Sequence, residues 1–113
     1  MEISLEGLEF RLLLLLGDIF KGIELLELTF SHEPKVVFDI ARDMCAGDRN
    51  ALGKASCCQT LAEARLLMGN EKYEKWVFER IEIFKEKKVI PWAAMMAIRQ
   101  RPNEPQAILK TPR

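Results

Sequence analysis

The stretch Glu9–Phe30, EFRLLLLLGDIFKGIELLELTF, decides the fold. It holds five consecutive leucines, Leu12 to Leu16, then more leucine, isoleucine and phenylalanine broken by single charges. Three readings compete: a membrane span, a secretory signal, and the spine of a helical domain. A spanning helix needs about 20 mostly apolar residues in succession. Here Asp18, Lys21, Glu24 and Glu27 would all sit at hydrocarbon depth, each at roughly 2.5–3.5 kcal/mol. A signal peptide needs a positive start, whereas Glu2, Glu6 and Glu9 precede or open this stretch. The helical reading remains. At about 100° per residue, Leu5, Leu8, Leu12, Leu15, Leu16, Ile19, Ile23, Leu26 and Phe30 form one uncharged stripe. Gly17 and Gly22 are the points at which such a helix would break or bend.

Phe10, Leu13, Leu14, Phe20, Leu25 and Leu28 lie off that stripe, among the charges. Burying a side chain of this size is worth roughly 1.5–3 kcal/mol. Leaving six in water would forgo much of the stability margin of a small domain. The first helix is therefore expected to be covered on two sides, by its own chain or by a partner. Phe10, Leu13, Leu14, Phe20 and Leu28 are the candidate partner-binding residues, with Phe78 added from a later helix.

Outward from this spine, SHEP (31–34) is punctuation, with Ser31 the candidate N-cap and Pro34 suited to a first helical turn. Lys35–Ala46 reads as a short amphipathic helix with Val36, Val37, Ile40, Ala41 and Met44 on one face, stopped by Gly47. Asp48 and Asn50 are candidate caps for a helix over 50–68. There Ala51, Ala55, Cys58, Ala62 and Leu66 align as a mostly small-residue stripe that admits a close neighbour. Gly69-Asn70 ends it. Glu71–Lys88 is the clearest amphipathic helix: Tyr73, Trp76, Val77, Ile81 and Phe84 share a face, with Ile83 at its edge. Phe78 sits on the charged side. The residue before Pro91 avoids the helical region, and Pro91 itself can open a short apolar helix, PWAAMMAIRQ. From Arg101 onward, RPNEPQAILKTPR has three prolines and no periodicity. The expectation is an all-α fold of four main helices plus a short fifth, a helical bundle or irregular α-hairpin array. It is one domain over 1–100 with an extended tail over 101–113.

With 113 residues, 49% hydrophobic and 30% charged, the chain suits a single globular domain. Its formal net charge is zero, so no global field points to nucleic acid or a membrane surface. The charge is nonetheless polarised. Residues 1–30 carry six carboxylates against two cations, and residues 85–113 carry seven cations against two carboxylates. The three cysteines, Cys45, Cys57 and Cys58, are odd in number and two are adjacent, which favours buried free thiols and a reducing, cytoplasmic setting.

Chemistry has few places to reside. His32 is the single histidine, set in a turn, so any Ser–His or Cys–His catalysis would have to use it. Zinc wants paired Cys or His ligands, and Cys57 and Cys58 point about 100° apart on a helix. No phosphate-binding glycine motif occurs, and the carboxylate pairs lack the Glu-x-x-His pattern of di-metal bundles. The sequence thus predicts neither an enzyme, nor a cofactor, nor a metal.

Residues 57–88 form two helices across a short turn, which resembles tetratricopeptide-type helical hairpins. That pattern asks for a small residue, a Tyr nine positions on, and a small residue three further. Ala64 and Tyr73 fit, and Trp76 departs from it, being large enough to force the helices apart. The resemblance covers about 30 residues without a second copy, whereas such stacks need at least three repeats. It implies an adaptor or chaperone-like role. The expected function is a non-enzymatic protein–protein interaction module, a homo-oligomer or a binder of a helical partner. The alternative is a nucleic-acid-associated regulator that uses the basic C-terminal third.

Overall fold

Ser4 opens the first helix. Its backbone is extended and its Oγ accepts the Gly7 N–H at 3.3 Å, which starts α1 over Leu5–Leu16. The computed structural model describes residues 4–17 and 19–87, with Ile19 described in its backbone alone. There follow α2 (Ile19–Ser31), α3 (Pro34–Met44), α4 (Ala51–Met68) and α5 (Asn70–Glu86), with no strand among the described residues. The fold is all-α. The expected helix at 91–100, the tail at 101–113 and the boundary between them lie outside the described residues.

The leucine-rich stretch is two helices, not one. α1 stops at Gly17, and α2 packs back against it. Gly22 makes this approach feasible: a Cβ there would run into the Leu15 carbonyl and lie 3.3 Å from the Leu16 Cα. With only hydrogen in that position the two backbones can meet. The turn sends both halves of the stripe inward. Leu8, Leu12, Leu15 and Leu16 of α1 and Ile23, Leu25 and Leu26 of α2 are all buried. Leu25 is off the stripe of a straight helix, yet it joins the core because α2 has its own rotation after the break. Leu5, at the open end of α1, is exposed.

Ser31 is the last residue of α2, not an N-cap, and its hydroxyl bonds back to Glu27 O at 2.8 Å. Glu33 takes the N-cap position of α3 with no side-chain bond, and Pro34 supplies the preset φ of the first turn. α3 buries Val37 and Ala41, while Val36 faces solvent. Asn50 takes the N-cap position of α4 without a side-chain bond, and Asp48 organises the turn before it. Its Oδ1 accepts the Asn50 N–H at 2.9 Å and its Oδ2 accepts Lys54 Nζ at 2.6 Å. Both bonds favour the ionised carboxyl and hold its pKa below the ordinary 3.8.

α4 is the centre of the domain and packs against each of the other four helices. Its small buried residues Ala55, Cys58 and Ala62 let neighbours come close, and its contact with α3 is the most extensive in the fold. Gly69, at φ +94°, joins α4 to α5 through a left-handed backbone that only glycine adopts cheaply. α5 then buries Tyr73, Trp76, Val77, Ile81 and Phe84, the five residues its periodicity selects. The Tyr73 ring meets Phe30 of α2 at 4.9 Å. All three cysteines are free and buried, and desolvation pushes the Cys58 thiol up to about 12.

Candidate interaction surface

Phe10 and Leu14 stand one helical turn apart on the outer face of α1 and remain 59% and 47% exposed. Leu14 forms one wall of a groove of about 310 Å³. The other wall is the start of α4, namely Asn50, Gly53, Lys54 and Cys57. The groove is open at Gly53, where an added Cβ would meet nothing within 4 Å. Lys54 is fixed on the rim by Asp48, so its stem walls the groove while its charge is neutralised. Cys57 lies among these residues as a protonated thiol, its pKa raised by desolvation and only partly offset by Arg11.

The six residues proposed from sequence as partner contacts divide. Phe10, Leu14 and Phe20 are exposed, Phe20 most of all at 77%. Leu13 and Leu28 pack partly against the core, and Phe78 is partly buried on α5. Only Leu14 combines exposure with the groove, and Phe10 stands one helical turn before it on α1. Glu6, one turn before Phe10 on α1, and Glu24, one turn after Phe20 on α2, are exposed carboxylates. Glu9 is committed elsewhere, accepting from Arg80 of α5 at 2.9 Å. Lys21 donates to Met44 O at 2.7 Å and ties α2 to the end of α3.

The opposite end of the bundle carries a polar network that sequence reasoning missed. Arg65 of α4 is only 7% exposed. Its guanidinium donates to Thr29 O at 2.6 Å and to His32 O at 3.0 Å, satisfying carbonyls at the C-terminus of α2. The Thr29 hydroxyl bonds Leu26 O at 2.7 Å and meets the Tyr73 hydroxyl at 3.0 Å. Three helices are thus joined through one buried polar cluster. The stripe Ala55–Cys58–Ala62 continues with equal geometric right to Arg65 or Leu66. Hydropathy selects the leucine, but Leu66 is 59% exposed and the arginine is inside. α2 has no basic residue of its own in its last turn, so the cation that meets its carbonyls comes from α4.

Ser31 and His32 also touch, Oγ to Nδ1 at 3.0 Å. The same hydroxyl lies 2.8 Å from Glu27 O, one turn back on α2. Among the described residues no three His, Cys, Asp or Glu side chains gather as a metal site. No helix among them is long and apolar enough to cross a membrane. The cationic stretch behind the nucleic-acid alternative falls mainly outside the described residues, and Lys85 within them faces Glu82 at 3.7 Å. No protein-family model, curated protein or solved structure matches this chain.

Proposed function

We propose that this chain is a non-enzymatic interaction module that receives an amphipathic helix of a partner protein across the outer face of α1. One observation carries the reading: Phe10 and Leu14 are exposed one turn apart, and Leu14 opens onto a preformed groove against α4. Apolar anchors at helical spacing facing a groove are how helix-in-groove recognition is built. The exposed Glu6 carboxylate, one turn before Phe10, favours a partner helix with a lysine or arginine beside its anchors. Three buried free thiols suit a reducing compartment.

Affinity capture with the full chain, compared with its Leu14→Glu and Phe10→Ser variants, tests the proposal. Proteins retained by the wild type and lost with both variants, at unchanged helical circular dichroism, are the expected result. Identical capture by all three chains would overturn it. Light scattering of the same samples separates a second copy from a foreign partner.

A further inference from the structure

We propose that the partner helix received on the outer face of α1 carries a carboxylate beside its apolar anchor, and that Arg11 is the residue that takes it. The inference rests on the reading of that face as a docking surface and adds the chemistry of the partner.

Arg11 stands three residues before Leu14 on α1, a spacing that makes the two neighbours on the helix surface. It is also close enough to Cys57 for the thiol to feel its charge. Cys57 lies one turn after Gly53 on α4, and both line the groove with Leu14. Arg11 and Cys57 thus stand together, one turn along their helices from Leu14 and Gly53.

The guanidinium has donors to spare. Its Nη1 donates to Gly7 O at 3.3 Å, which leaves most of the planar fork unused. Among the described residues no carboxylate pairs with Arg11. By contrast, Lys54 on the groove rim holds Asp48 at 2.6 Å, and Lys21 donates to Met44 O at 2.7 Å. A guanidinium fork matches the two oxygens of a carboxylate, and such charge-assisted pairs are the strong ones.

The placement of charge around the apolar row supports the same pairing. At about 100° per residue, Glu6 falls about 80° to one side of Leu14 and Arg11 about 60° to the other. Phe10 and Leu14 therefore run between opposite charges. A helix laid on them is read on both flanks, with a cation toward Glu6 and a carboxylate toward Arg11. Docked in the reverse direction it would set like charges together, so the arrangement fixes orientation more than affinity. The groove, about 310 Å³, is at the small end for binding pockets and suits one anchoring side chain over Gly53.

The test uses the full chain and fluorescein-labelled helical peptides with a leucine stripe on an alanine–glutamine background. One Glu, Gln or Lys is placed in turn at each position flanking the stripe, and binding is followed by fluorescence anisotropy. The expected result is at least one position where Glu binds about fivefold or more tighter than Gln. That Glu peptide should also slow iodoacetamide labelling of Cys57, mapped by mass spectrometry. In Arg11→Gln, at unchanged circular dichroism, the preference for Glu should vanish while the Gln peptide binds as before. A preference that survives Arg11→Gln, or that leaves Cys57 labelling unchanged, would overturn the inference. Peptides that lose binding with Leu14→Glu, yet bind the wild type alike with Glu, Gln or Lys, would also overturn it and leave the docking surface standing. No binding of any peptide overturns it as well, and affinity capture with Leu14→Glu then decides the surface by itself.

Discussion

At one end of the bundle, Arg65 and Tyr73 reach from α4 and α5 into the last turn of α2. At the other, Leu14 faces Gly53 and Cys57 across an open groove. The first end spends a guanidinium, two hydroxyls and several carbonyls on one another, and none of these groups is left to meet a ligand. A cation at a helix C-terminus also meets the negative end of the helix dipole. The second end leaves large apolar side chains in water, forgoing stabilisation that burial would have supplied. The contrast separates stability from recognition along a single domain: what closes three helices together lies about one helix length from what remains available to a partner.

The largest effect should come from breaking the closed end. Arg65→Met keeps much of the apolar stem but strands the Thr29 and His32 carbonyls. A loss of about 3 kcal/mol is expected, seen as a melting temperature lower by roughly 10–20 °C. A change of only a degree or two would remove the distinction between the two ends. Next comes Gly22→Ala, which forces a methyl onto the Leu15 carbonyl and should cost about 2 kcal/mol in chemical denaturation despite alanine's better helix propensity. Gly53→Ala is its counterpart on the groove, where the added methyl meets open space, and it should stabilise by about 0.5–1 kcal/mol.

Tyr73→Phe removes one partner of the Thr29 hydroxyl while keeping the ring contact with Phe30, and should cost about 1 kcal/mol. Leu14→Glu, at the open end, should change stability by less than about 0.5 kcal/mol while abolishing partner capture. Equal destabilisation by Leu14→Glu and Arg65→Met would mean that both ends are structural. The smallest effect is acid-dependent. Because Lys54 and the Asn50 N–H lower the pKa of Asp48, its contribution is present above pH 3.8 and disappears as the pH falls through the lowered value. Asp48→Asn should flatten the stability profile in that acid window, as followed by urea titrations across pH.

α5 was fully legible: Tyr73, Trp76, Val77, Ile81 and Phe84 share a face in sequence, and the same five are buried. The helix is long, its two faces contrast, and a single neighbouring core decides its rotation. The glycine stops at 47 and 69 were legible for a local reason, since both adopt a positive φ that other residues resist. The groove was half visible. Phe10 and Leu14 stood out as apolar residues off the stripe, but Leu13 and Leu28 stood out equally, and only the packed structure turns them partly inward.

By itself, then, the sequence determined helix content, the inward face of α5, the turn glycines and an apolar surplus on α1, because these depend on periodicity and on the conformational range of single residues. Tertiary structure alone decided the rest. The sequence marked Gly17 and Gly22 as possible break points, but that the second half folds back onto the first was decided by packing, because Gly22 lets a second backbone approach Leu15. Packing also determined that Arg65 is inside and Leu66 outside, because the carbonyls that accept the guanidinium belong to a helix some 30 residues away in the chain. Periodicity cannot report on such partners. A buried charge is tolerated only where distant groups satisfy it, and their arrival is a property of the assembled fold.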